Sequence, residues 1–198
     1  LIILFFFIID RKFIFKKIST IIVIFSLVFL IITQNNNYKD RFINQTFSFL
    51  AKNNYSVTHY FKFSIYGAHY NAAYQVFKDY PLFGVGLKNF RIESGRPKYE
   101  NDDFRFTARR QNTHPHQIHL EFLSELGLIG YLFFLIFFYI FLKRSISIQI
   151  KNRNLYHLSG LLFLFVFFIP LIPTGSFFTT YGAAIFWLNF AIIEAFND

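Results

Sequence analysis

The sequence predicts an all-α integral membrane protein, and three observations carry that reading. Apolar residues make up 54% of the 198 residues and charged residues only 16%, far from the balance of a water-soluble domain. The apolar residues come in long uninterrupted blocks, the pattern of bilayer-spanning helices. Basic residues gather in short stretches between those blocks, as they do in loops on the cytoplasmic side. The chain has no cysteine, so a disulfide framework and a thiolate nucleophile are both excluded.

Residues 1–9 are too few to span a bilayer, which takes about 20 apolar residues. No methionine stands at position 1, and the DRKFIFKK that follows offers no small-residue cleavage site. The stretch therefore reads as the tail of a helix, within the carboxyl-terminal part of a longer chain. Residues 13–33, introduced by Lys16 and Lys17, predict the first full transmembrane helix. Further spans are predicted over 122–142, 155–173 and 177–196, the last with Gly182, Ala183 and Ala184 to admit a close neighbouring helix. Arg11, Lys12, Lys16 and Lys17 precede the first span, and Lys143, Arg144, Lys151 and Arg153 occupy the loop 143–154 without an acid. Both stretches should be cytoplasmic, which puts segment 34–121 and the 173–176 turn on the opposite face.

Segment 34–121 holds the other 12 of the 20 Lys and Arg against seven acids. Two readings stay open: a solvated basic surface beside lipid headgroups, and a site for an anionic substrate held near the membrane. No nucleic-acid partner is expected. Residues 63–81 predict a helix stopped by Pro81, with Ala72, Ala73, Val76 and Phe77 on one buried face. PLFGVGLKNF (81–90) places Gly84 and Gly86 two apart, a tight backbone passage. Without a preceding strand or a third glycine it does not make a dinucleotide loop. Residues 93–106 predict a charged surface loop.

The titratable groups concentrate in TARRQNTHPHQIHLEFLSELGLIGY (107–131). His114, His116 and His119 admit three readings. They could hold a metal, although Pro115 keeps His114 extended and the HExxH pattern is absent. They could be interfacial residues at a helix start. One of them could act as a general base at the water–lipid boundary, beside arginines that suit a pyrophosphate. Glu121 and Glu125, four apart, could orient a histidine or favour the helix amino end through its dipole.

These residues resemble a known family. His116-Gln117, nine residues, then Gly127-Leu-Ile-Gly130 matches the H-[N/S/Q]-x9-G-x-x-G pattern of bacterial O-antigen ligases. The upstream A-x4-KDYPLFGVGLKNF (73–90) is similar to a stretch of the same superfamily, which also contains O-antigen polymerases. The resemblance extends over about residues 60–198. It implies a membrane glycosyltransferase with a GT-C-like helical bundle and a large helical periplasmic loop, in the bacterial inner membrane. The implied donor is an undecaprenyl-pyrophosphate-linked glycan, and the implied acceptor is a hydroxyl of lipid A-core, with membrane lipids as surroundings. Transfer would proceed with inversion and without a metal, a nucleotide sugar or another cofactor. His116 falls on the family's base, and Gly127 and Gly130 on its glycines, expected to allow tight helix packing. Many members carry an arginine at the start of the helix before the proline, where this chain has Tyr66 and His69. Arg91 is the substitute candidate for the pyrophosphate, followed by Arg109 and Arg110. A polymerase with the same donor is the alternative. A transporter or scaffold fragment is weaker, because the charged residues and histidine of the predicted spans, Glu194 and His157 among them, lie near the span ends.

Overall fold

The computed structural model describes residues 14–40, 57–170 and 172–196. The 1–9 stretch lies outside them. The described residues form helices and loops without a strand, and they fall into two units, 1–60 and 61–198.

The first unit contains α1 (Ile14–Gln34) and the single turn α2 (Asn36–Lys39). No residue of α1 that is described is buried, and Phe15, Ile22, Phe25, Phe29 and Ile31 are all exposed. Apolar all round and without a buried residue among those described, this helix is long and apolar enough to cross a membrane.

In the second unit, α3 (Val57–Phe63) leads into α4 (Ile65–Asp79). Ser64 caps α4 by accepting from the Gly67 amide at 3.0 Å. The chain leaves the helix at Tyr80, ahead of Pro81, which has no amide to continue it. The buried face includes Ala72, Ala73 and Val76 as expected, whereas Phe77 is only half-buried. It also takes in His69, one turn earlier at the same spacing. The connection to the next long helix holds α5 (Phe90–Glu93) and two 3₁₀ turns, Pro97–Tyr99 and Thr107–Arg109. An ionic network ties this loop to the end of α4: Lys98 Nζ sits 2.7 Å from Asp79 and 3.4 Å from Glu93. Tyr99 Oη lies 2.9 Å from Glu93 and 3.0 Å from Asp79.

Helix α6 (Ile118–Asn152) is broken at Gly127, whose φ of 68° and ψ of −172° are not helical. It runs ten residues beyond the predicted span, so 143–152 is helix and not loop. The cause is a polar seam: Ser145 and Gln149, one turn apart, are buried, and Gln149 Oε1 lies 2.8 Å from His157 Nδ1. The turn itself needs only Arg153, in the left-handed region, and Asn154, which accepts from the Tyr156 and His157 amides. Helices α7 (Leu155–Phe167) and α8 (Thr180–Ala195) complete the unit. Their 13 and 16 residues extend about 20 and 24 Å. Among the described residues, only α1 and α6 are long and apolar enough to cross a membrane.

An aromatic cluster joins α6, α7 and α8, with Phe122, Phe134, Phe138, Phe168, Phe177 and Phe186 in successive ring contacts from 4.3 to 6.5 Å. Helices α7 and α8 approach closely at Gly160, where a Cβ would meet Ile193 Cγ1 at 2.7 Å and the Asn189 carbonyl at 3.2 Å. Gly182, expected to serve that purpose, instead abuts the Ser176 carbonyl of the turn preceding its own helix.

Candidate functional site

The two glycine motifs are one structure. Where α6 breaks, the carbonyls of Ser124 and Glu125 lose their helical partners, and the amides of Leu128 and Ile129 lose theirs. The loop after Pro81 supplies all four. Val85 and Gly86 donate to Ser124 and Glu125 at 2.9 Å each. Leu128 and Ile129 donate to the carbonyls of Pro81 and Leu82 at 2.8 and 3.1 Å. The backbones approach so closely that a Cβ on Gly127 would sit 2.5 Å from the Gly84 nitrogen, and one on Gly84 would sit 2.7 Å from the Gly127 nitrogen. Both residues have positive φ, 68° and 65°. Gly86, at φ 86°, completes the passage. Gly127 thus receives a loop and not a helix, and the nearest neighbour of Gly130 is Leu126 of its own helix.

The acids of α6 brace the same junction. Glu125 Oε2 accepts from the Lys88 amide at 2.8 Å, holding Lys88 at φ 63°. Glu121 accepts from the Ser176 hydroxyl and from the Phe177 amide, the latter at 2.8 Å. Neither carboxylate reaches a histidine. Each caps a neighbouring loop, because a buried carboxylate needs donors and backbone amides at a turn provide them.

The imidazoles gather one turn earlier. His116 has φ 57°, an uncommon conformation for a residue with a side chain. Its carbonyl is pinned by the Thr174 amide at 2.8 Å. Next to it Gln117, buried, caps α6 by accepting from the Leu120 amide at 2.8 Å. The His116 ring lies 4.2 Å from that of His114, 5.2 Å from that of His69 and 5.8 Å from that of Tyr66, centroid to centroid. Asn112 joins two of them: its amide nitrogen is 3.1 Å from His116 Nε2 and 3.3 Å from His69 Nε2. Its oxygen accepts from the Thr113 amide at 2.7 Å, which fixes the orientation of the amide. Both Nε2 atoms therefore accept. The proton of His69 is then on Nδ1, directed at the Arg110 carbonyl 3.3 Å away.

Burial lowers the pKa of all three imidazoles, that of His114 to about 4 with the nearby His116 adding to the effect. The set is neutral at neutral pH. Among the described residues no group of three His, Asp or Glu is placed to hold a metal, and a donor amide lies between His69 and His116. His119 stands apart, with Nδ1 2.7 Å from Tyr131 Oη and Nε2 2.9 Å from the Phe168 carbonyl. Its Nε2 proton ties α6 to the end of α7.

The arginines divide. Arg110 is buried and its guanidinium faces inward, donating to the carbonyls of Thr107, Gly95 and Arg96 at 3.0 to 3.3 Å. That occupies the fork that a pyrophosphate would need. Arg91 and Arg109 are exposed. Sequence reasoning passed over Asn112 and gave His69 no role. The signal for His69 was its place three and four residues before Ala72 and Ala73 on the buried face; nothing local marks Asn112.

Each of the two units contains one helix long and apolar enough to cross a membrane, and the one in the second unit starts in a polar, imidazole-rich site. The family model for O-antigen ligase matches residues 1–135, over half of the chain, and the chain belongs to that family. The match reaches further toward the amino end than the motif resemblance did, and it stops within α6. No curated protein and no solved structure matches the chain. Membership implies a glycosyltransferase-like enzyme whose substrates are, in general terms, a lipid-linked glycan and an acceptor.

Proposed function

We propose that the chain transfers a glycan from undecaprenyl pyrophosphate to a sugar hydroxyl of lipid A-core, with His116 as the general base. The observation that carries this is the His116 imidazole: neutral, half-buried, and with its Nε2 lone pair directed at an exchangeable partner, the Asn112 amide. An acceptor hydroxyl takes the place of that amide. As its oxygen bonds to the anomeric carbon from the face opposite the leaving group, its proton passes to Nε2. The anomeric carbon–oxygen bond to the pyrophosphate breaks, and the electron pair stays on the pyrophosphate, which Arg91 and Arg109 neutralise. In this reading α1 and α6 cross the inner membrane as part of a GT-C-like bundle. Segment 34–121 is periplasmic, and the basic stretches 10–17 and 143–154 face the cytoplasm.

The test is complementation of a deletion strain. His116→Ala should abolish transfer to lipid A-core while protein abundance is unchanged, and full transfer by that variant removes the base assignment. The polymerase reading shares the donor and is separated by the deletion phenotype. Unattached long chains identify a lost ligase; single repeats on core identify a lost polymerase.

A further inference from the structure

Three apolar side chains on the glycine loop are more than half exposed. Phe83 is 73% exposed, and Leu82 and Leu87 are each more than half exposed. In water such a patch is unfavourable, whereas Phe90 of the same loop is fully buried. The register of the loop decides what it meets. Because Leu128 and Ile129 donate to Pro81 and Leu82, the loop lies level with the first turn of α6 after the break. That turn is itself apolar and exposed at Leu128, Ile129, Leu132 and Phe133, so the loop continues the lipid-facing surface of the helix.

Depth follows from helix geometry. The apolar run of α6 ends at Lys143 and Arg144, which mark one membrane boundary. Ile129 lies about 21 Å above Lys143 along the helix, within a hydrocarbon layer of about 30 Å. A break in a helix at that depth leaves backbone groups that lipid cannot satisfy, and only protein or trapped water can do so. The reciprocal bonds between 81–86 and 124–129 meet that requirement.

We infer that residues 81–87 form a re-entrant loop in the outer leaflet, with Leu82, Phe83 and Leu87 among lipid acyl chains and Lys88 at the level of the headgroup phosphates. The inference rests on α6 crossing the membrane. It places the candidate site at the depth where the phosphate of any lipid-anchored substrate lies.

The chain has no cysteine, so Phe83→Cys, Leu87→Cys and Phe133→Cys each introduce a single thiol for an environment-sensitive fluorophore. The full chain is reconstituted in phospholipid nanodiscs without brominated lipid, with lipids brominated near the headgroup, and with lipids brominated near the end of the acyl chain, the last to reach position 133 about 15 Å above Lys143. Label at position 83 or 87 should be quenched more by lipid brominated near the headgroup than by lipid brominated near the chain end, and should resist a water-soluble quencher. Phe133→Cys reports on the span. If position 133 is quenched by lipid while 83 and 87 are not, because water or other protein covers them, the re-entrant loop is wrong. If position 133 is also untouched by lipid, the membrane crossing of α6 fails as well.

Discussion

Gly127→Ala addresses the interlock most directly. Its φ of 68° and ψ of −172° fall in a region almost confined to glycine, and holding alanine there costs about 1–3 kcal/mol. The added Cβ would also lie 2.5 Å from the Gly84 nitrogen and against the Leu82 carbonyl. These are backbone atoms, which cannot swing aside as a side chain can. Relief requires the loop to withdraw, which breaks the four hydrogen bonds it shares with 124–129, each worth about 1 kcal/mol net. The total is about 5–7 kcal/mol, in the exceptional range for a single substitution. For a chain of this size that corresponds to a fall in Tm of about 10 °C or more. The lone tryptophan, Trp187, provides the unfolding signal in detergent or nanodiscs. Gly175→Ala is the reference, since a Cβ there meets nothing within 4 Å, and it should leave Tm unchanged. Amide exchange at Val85, Gly86, Leu128 and Ile129 should rise in Gly127→Ala alone. A variant with wild-type Tm and wild-type protection at these amides would falsify the interlock.

The imidazoles predict acid sensitivity. Their folded pKa values lie below the unfolded value of about 6.5, so below that pH the unfolded chain binds more protons and stability falls as pH drops toward 4. His114→Gln should flatten that loss in Tm measured across pH 4 to 7, and an unchanged slope argues against a buried neutral His114. The arginines should separate by readout. Arg110→Ala strands three carbonyls and should lower Tm by several degrees. Arg91→Ala and Arg109→Ala should preserve Tm and instead raise KM for the lipid-linked donor at least about tenfold, as loss of one charge-assisted phosphate contact does. Equal donor kinetics in the two exposed variants and the wild type would remove their assignment. His119→Ala should reduce stability through the lost tie to Phe168 and leave the acid limb of the pH–rate profile in place, whereas a shifted limb would make His119 a second titrating participant.

Much of the fold was legible because a bilayer makes simple demands on sequence. Uninterrupted apolar length marked α1 and α6, and the spacing of Ala72, Ala73 and Val76 marked the buried face of α4. The stop at Pro81 followed from a missing amide. The continuation of α6 past Lys143 was not legible, since it depends on Gln149 meeting His157 from the next helix. Gly182 and Gly160 look alike in sequence, and only packing assigns the close helix contact to Gly160.

The candidate site divides the same way. Local spacing singled out Gly84, where the backbone must turn, and grouped His116 with His114 and His119 near a helix start; the resemblance to O-antigen ligases, and not spacing, picked His116, Gln117 and Gly127 from their neighbours. Tertiary structure decided everything that depends on meeting. It joined the two glycine motifs through their exposed backbone groups, set Asn112 between two imidazoles, turned Arg110 inward, and gave Glu121 and Glu125 to loops rather than to histidines. A hydrogen bond is short-ranged and directional, so its partner is fixed by three-dimensional position, and separation along the chain says nothing of which donor will arrive there.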